Sequence, residues 1–358
     1  MKKVLVICPY PENVAPSQRL KFEQYYPAFR QAGYEIQTSS FINYAFWNII
    51  YKKGNLLQKV YYTLLGYFKR IRYLFRLRQF DIVYIHLWVT PFGPPIFEWL
   101  YRNLARKIVY DIDDLVYLNN KKSSKNPIAL MIKGKKKPIY LIKNSEHIIT
   151  CTPYLDQFVR KFNSATTDIS STVDTDKYQV VNTYSNAKPL TIGWSGSIST
   201  SRYFYLLENM LKKLRREFNF KILVIGNKEI NIKGLDIEAV DWSEETEMDY
   251  LKRLDIGLYP LPNEDWVYGK SGLKAIQYMA LGLPTVATAL GANFRVIENG
   301  VSGFLVSTED EWIECLSKLI RDQNLRRHIG TNARLRVENL FSVESNKKYY
   351  IDIFNSLT

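Results

Sequence analysis

Two doubly wound, Rossmann-like α/β domains in succession are what this sequence predicts, and three observations carry the prediction. Short apolar runs that read as buried parallel strands alternate with longer stretches of helical spacing. That strand–helix rhythm starts twice, at Val4 and again at Leu190, with a polar stretch from Val180 to Pro189 between the two runs. At 358 residues the chain is long for one core and comfortable for two. The expected boundaries are a first domain over 1–182, a second over 187–340 and a C-terminal helix over 341–358.

The first domain opens with the strand Val4–Cys8, followed by a loop holding Pro9, Pro11 and Pro16. A helix is expected over Ser17–Gln31, with Phe22, Tyr25 and Phe29 on one face and Gly33 as its stop, and Tyr34–Thr38 is the second strand. From Phe41 to Gln79 the composition shifts to aromatics and bases without a single Asp or Glu, and Leu56–Arg78 reads as one helix. A basic, aromatic amphipathic helix can lie in a membrane interface, so an anionic membrane surface is a candidate partner of 41–79. Packing on the sheet with a basic outer face is the equal alternative. Asp81–Leu87 is the next strand, and His86 near its end reads as a core or hydrogen-bonded histidine. After a helix over Pro95–Arg106, the strand Lys107–Asp111 delivers Asp111, Asp113 and Asp114 to the carboxyl end of a strand, the ligand side of a parallel sheet. Such acids can clamp or deprotonate an acceptor hydroxyl, bind a divalent metal with phosphates, or simply cap a turn. Lys121–Lys137 reads as a solvated basic loop, and the strand His147–Thr150, the helix Pro153–Phe162 and the strand Asp168–Val173 complete this half.

The second domain begins with the strand Leu190–Trp194, which runs into a small-residue loop at Gly196 and Ser197 whose amides can face phosphate. Arg202 stands at the start of a helix to Phe218; Lys221–Ile225 and Ile237–Val240 are strands. The loop after them carries Trp242, which either stacks on a ring or packs. Asp255–Tyr259 leads to the stretch on which the functional reading turns, Glu264–Val306. There Tyr268–Gly272 forms a glycine-bracketed loop entering a helix, with Ser271 as the expected cap and Leu273, Ile276 and Ala280 on one face. Gly282 ends that helix, and Pro284–Ala289 is a buried strand. A loop-to-helix junction leaves amides unpaired at the positive end of the helix dipole. With Lys270 just before it and Lys274 one turn inside, this is a place to hold phosphate oxygens. Thr308 and Glu311 form a capping box for a helix to Arg321, and Val343–Leu357 is the last helix.

Composition narrows the classes further. The 46% hydrophobic content is that of a globular protein. Three scattered cysteines without metal spacing fit a reducing compartment and exclude a disulfide framework. With no visible targeting signal and no apolar run of spanning length, the expected location is cytoplasmic, free or peripheral on the cytoplasmic face of the membrane. A net charge of +14 favours an anionic partner, but no recognition motif accompanies it, so nucleic acid is not expected.

The order Gly269-Lys270-Ser271-Gly272-Leu273-Lys274, followed by Gln277-Tyr278-Met279-Ala280-Leu281-Gly282-Leu283-Pro284, resembles the donor-binding segment of glycosyltransferase family 4. Gly300–Val306 resembles the DGxxGxLV stretch that follows it there, and Thr172–Tyr178 is similar to the segment before the interdomain linker. Many members carry two glutamates eight positions apart where this chain has Gly269 and Gln277, so the fit is to a branch reading G-K-x-G-x-K…Q-Y-M-A. The Arg/Lys pair that grips the donor pyrophosphate in many members is also missing, and Arg202 is the nearest base.

The resemblance implies a GT-B fold, two domains facing each other across a cleft, and a C-terminal helix crossing back to the first. It implies transfer of a sugar from a nucleotide-diphosphate sugar to a glycan, lipid-linked or other hydroxyl acceptor, with retention and without a metal or other cofactor, in cell-surface polysaccharide or glycoconjugate synthesis. Asp111, Asp113 and Asp114 would serve the acceptor side. Gly196, Ser197, Arg202, Trp242, Lys270, Ser271, Gly272, Leu273 and Lys274 would hold the donor, with Gln277 where the ribose-binding glutamate usually stands. The alternatives are a nucleotide-sugar epimerase of the same fold and a non-catalytic basic binding protein.

Overall fold

The computed structural model describes residues 1–113, 136–180, 184 and 189–358. These fall into two units, Met1–Ser170 with Asn346–Thr358, and Ser171–Ser345. Asp114, the basic loop as far as residue 135 and most of the polar stretch expected as a linker lie outside the described residues.

The first unit is built on a six-stranded sheet: β1 (Lys2–Cys8), β2 (Tyr34–Ser40), β3 (Ile82–His86), β4 (Ile108–Asp111), β5 (His147–Thr150) and β6 (Thr166–Asp168). Every pairing is parallel, in the order β2-β1-β3-β4-β5-β6. Strands in such a sheet are covered on both faces, which is why β1 is buried without interruption from Val4 to Cys8. The chain order reverses between β1 and β3, and their carboxyl ends flank the switch point where ligands bind in sheets of this kind.

Three expectations are corrected here. The single helix over Ser17–Gln31 is broken into Pro16–Arg19, a 3-10 turn at Glu23–Tyr25, and Tyr26–Gln31. Pro27 is the second residue of that last segment and has no N–H to continue a helix from upstream. The helix expected to reach Arg78 stops at Leu74. The last strand is Thr166–Asp168, and Val173 instead forms a bridge with Ser342, so the chain has joined the second unit by Ser171, ahead of the boundary expected at 182. The helix Val343–Leu357 supplies the first unit with Tyr350, whose ring lies 4.5 Å from that of Tyr25, and with Phe354, 5.0 Å from Phe29.

The second unit repeats the architecture with β7 (Leu190–Ser195), β8 (Phe220–Ile225), β9 (Ile237–Val240), β10 (Ile256–Tyr259), β11 (Thr285–Thr288) and β12 (Phe304–Val306). They are again all parallel, in the order β12-β11-β10-β7-β8-β9. Here the switch point lies between β7 and β10, which brings the loop of Gly196–Ser197 next to the loop of Lys270–Gly272. The helix Glu309–Arg321 starts on the Thr308–Glu311 capping box as its sequence requires. The helices Glu244–Leu251 and Gln323–Leu340 were not among the expected elements.

Candidate functional site

The loop after β7 is held from below. Gly226, following β8, sits at φ +137°, where a Cβ would fall 2.0 Å from the carbonyl oxygen of Gly196. Only glycine permits that approach. The amides of this loop are already engaged: Gly196 donates to the carbonyl of Ile225 at 2.9 Å and Ser197 to Thr200 Oγ1 at 3.0 Å. Ser197 and Thr200 form a capping box on the 3-10 helix Ile198–Leu207. The expectation that these two amides face phosphate is therefore corrected, because secondary structure consumes them.

The cations of the two loops are linked through two aromatic rings. The Arg202 guanidinium lies 5.2 Å from the ring centre of Tyr203, and that ring stacks on Trp266 at 5.6 Å. Lys270 Nζ in turn lies 5.1 Å from the Trp266 ring. Arg202 also lies 3.9 Å from Glu264, which accepts a hydrogen bond from the Trp266 indole. Two cation–π contacts and one ring stack thus tie Arg202, from the loop after β7, to Lys270, from the loop after β10. Tyr203 and Trp266 were missed as functional residues, since nothing local in the sequence pairs them.

The helix Leu273–Ala280 starts from Gly272, at φ +78°, with no side-chain cap. Ser271, the expected cap, instead shares a 2.7 Å hydrogen bond with Ser171. The cap position is left-handed, so Ser271 sits one residue too early to turn its hydroxyl over the first amides. Leu273 and its neighbours at the helix start therefore present their amides without a competing side chain.

Behind that helix start lies a polar cluster. Gln277 is fully buried and donates from Nε2 to the Tyr178 hydroxyl at 2.7 Å and to Glu247 Oε1 at 3.3 Å. Lys274 Nζ meets the same carboxylate oxygen at 3.3 Å. Gln277 Oε1 is buried with no hydrogen-bond partner among the described residues. Gln277 is thus tied into a cluster whose acid is Glu247, itself buried and carried by the helix Glu244–Leu251. Trp242, after β9, is half-buried and packs against the core that contains Leu251 and Tyr259.

In the first unit Asp111 is fully enclosed at the end of β4. It accepts from the Tyr84 hydroxyl at 2.6 Å and lies 3.1 Å from His86 Nδ1, while its other oxygen is 3.4 Å from Lys21 Nζ. Burial alone would raise its pKa, but Lys21 and the hydrogen bonds from His86 and Tyr84 outweigh it and hold the carboxyl below its usual value. For His86 burial acts downward, and the charges of Asp113 and Asp111 overcome it and push the imidazole up. Lys21 is enclosed as well and donates to the carbonyls of Thr150 and Ile169 at 3.2 and 3.0 Å. The carboxylate of Asp111 is thus engaged within the unit by Tyr84, His86 and Lys21. Asp113, with Oδ2 3.9 Å from His86 Nε2, keeps part of its carboxylate exposed.

The architecture of both units is that of the GT-B glycosyltransferases. Over 100% of this chain and 99% of theirs it is similar to sucrose-phosphate synthase from Thermosynechococcus elongatus, at TM-score 0.70 and 15% identity. It is similar to Anabaena Alr3699/HepE in complex with UDP and glucose over 99% of this chain and 100% of that one, at TM-score 0.70 and 14% identity. Residues 189–322, inside the second unit, match the family described as Glycosyl transferases group 1. Among curated proteins the chain is 28% identical over 167 residues to the capsular polysaccharide biosynthesis glycosyltransferase CapM of Staphylococcus aureus, which is 42% of each chain. It is 31% identical over 150 residues to trehalose synthase of Pyrococcus horikoshii, covering 42% of this chain and 32% of that one. The match spans less than half the length of these two relatives.

Proposed function

We propose that this protein transfers a glycosyl group from a nucleotide-diphosphate sugar to a hydroxyl acceptor, with the donor held by the second unit. The observation that supports this most is the aromatic link between Arg202 and Lys270, with Lys270 just ahead of the uncapped helix start at Gly272, inside the segment that matches the group 1 family. A departing nucleoside diphosphate develops negative charge. Two cations and a set of helix amides can stabilise that charge, so the reading includes transfer without a metal. Gly196 and Ser197 shape the floor of the donor site, Ser271 and Leu273 frame its helix start, and Trp242 borders it. Glu247, oriented by Gln277 and Lys274, supplies the acid that would engage donor hydroxyls. On the acceptor side the roles fall to Asp113 and Asp114, with Asp111 positioning His86. Retention of anomeric configuration and a place in polysaccharide or glycoconjugate synthesis in the cytoplasm complete the reading, and similarity to CapM favours the latter.

Lys270→Ala tests the reading. Loss of one charge-assisted phosphate contact costs about 1.5–3 kcal/mol. Donor affinity, measured by calorimetry with UDP-, GDP- and ADP-sugars, should therefore fall by roughly 10- to 150-fold while the melting temperature stays put. Unchanged affinity and turnover would remove Lys270 from the site.

A further inference from the structure

The helix Leu56–Leu74 is amphipathic with its faces reversed. Its buried residues are Gly66, Arg70 and Tyr73. Gly66 lies so close to the Phe41 ring that a Cβ would come within 2.6 Å of it. The enclosed Arg70 guanidinium donates to the carbonyls of Cys8, Ser39 and Val89 at 2.7 to 2.9 Å. Arg70 is therefore a structural hub of the first unit, not the surface cation that its place in a basic segment suggests.

The outward face carries Leu57, Tyr61, Leu64, Phe68, Ile71 and, just past the helix end, Phe75, exposed between 43% and 86%. They recur every three or four residues over about 27 Å of helix axis, one continuous apolar stripe. Lys69, Arg72 and Arg76 each follow a stripe residue directly, which sets them about 100° round the helix, along one flank. With Tyr73 they line an open cavity of about 210 Å³, where Lys69 donates to the Ser40 carbonyl at 2.9 Å and the guanidinium groups of Arg72 and Arg76 supply the remaining charge.

We propose that this face docks the protein on an anionic lipid surface, with the stripe sunk to the acyl boundary and a lipid phosphate in the cavity beside it. Charge selects this occupant over a second copy of the chain. No acid lies between Phe41 and Gln79, so two copies meeting on this face would oppose cation to cation, whereas a phosphate surface complements it. No helix among the described residues is long and apolar enough to cross a membrane, so the attachment is interfacial.

Flotation of the full chain with vesicles tests this without reference to enzyme activity. The protein should rise with an equal mixture of phosphatidylcholine and phosphatidylglycerol at low salt, and much less with phosphatidylcholine alone or at high salt. Leu57→Ser/Leu64→Ser/Phe68→Ser alters only exposed side chains, and Arg72→Glu/Arg76→Glu alters only the cavity flank. Each should lower vesicle partitioning by roughly tenfold or more with the melting temperature unchanged. Protein that stays unbound at low salt, or binding indifferent to both variants, would overturn the proposal. So would light scattering that finds a dimer dissociated by the serine variant, which assigns the stripe to a second copy.

Discussion

Replacing Lys21 by Met strikes the first unit where its electrostatics are most concentrated. The ammonium lies 3.4 Å from Asp111 Oδ1 with both side chains enclosed, and it also satisfies the carbonyls of Thr150 and Ile169. At an effective dielectric near 20 an attraction at that separation is about 5 kcal/mol, part of it offset by the desolvation of Lys21. Removing one partner of a buried pair leaves the other charged and enclosed, so the expected loss is about 3–5 kcal/mol. Hydrogen exchange read by mass spectrometry separates the units. Amides of β1 and β4 should lose roughly 150- to 5000-fold of their protection, while those of β7 and β10 keep theirs. In Lys21→Met/Asp111→Leu, where no charge is stranded, part of the protection should return. A loss in the single variant below about tenfold would refute the claim that this pair holds the unit together.

The same cluster gives a pH dependence. Asp111 is held below its usual pKa, so its contribution is present above about pH 3.9 and is lost as pH falls through the lower folded value. His86 is pushed up, so its contribution is complete below about pH 6.5 and is lost as pH rises through the folded value. Exchange protection of β4 should therefore be greatest between roughly pH 4 and 6.5, and His86→Asn should flatten the alkaline side. Gly226→Ala forces a Cβ to within 2.0 Å of the Gly196 carbonyl oxygen; it should destabilise the second unit by about 2–4 kcal/mol in urea unfolding, and a loss under about 1 kcal/mol would contradict the packing described. Gln277→Glu places a second carboxylate beside Glu247, raises the pKa of one of them and makes stability fall as pH rises above about 4.3; Gln277→Glu/Glu247→Gln should abolish that slope in a pH series of melting temperatures.

How far the sequence was legible depends on how local each signal is. The central strands of the two parallel sheets are buried on both faces, so runs such as Val4–Cys8 and Ile222–Ile225 stand out as uninterrupted apolar residues. The Thr308–Glu311 box and the stop at Gly282 are equally local. The helix Glu244–Leu251 was hidden because EETEMDYL resembles a solvated acidic stretch, and with it went Glu247, whose partners Lys274 and Gln277 come from a distant helix. Arg70 and Lys137 misled for one reason. A cation in a basic segment is assigned to solvent unless its acceptors are known. Those acceptors, the carbonyls of Cys8, Ser39 and Val89 for one and Thr90 and Phe92 with Glu98 for the other, are fixed only by tertiary structure.

The residues of the second unit that differ from the pattern its donor segment resembles form one arrangement, not a set of separate losses. The loop after β7 lacks a pyrophosphate-gripping pair, and its Gly196 and Ser197 amides are consumed internally, so by itself it offers an anion little beyond Arg202. Two aromatic rings link Lys270 of the neighbouring loop to that cation, so the linked charges come from the loops of two different strands. At the same junction an acid is absent from positions 269 and 277, but an amide at 277 leaves room for the carboxylate of Glu247, which a glutamate there would repel. The neutral Gln277 and the charged Glu247 are thus two halves of one choice. Exchanging both should be tolerated where changing either alone is not, and a double-mutant cycle with a coupling energy near zero would separate them.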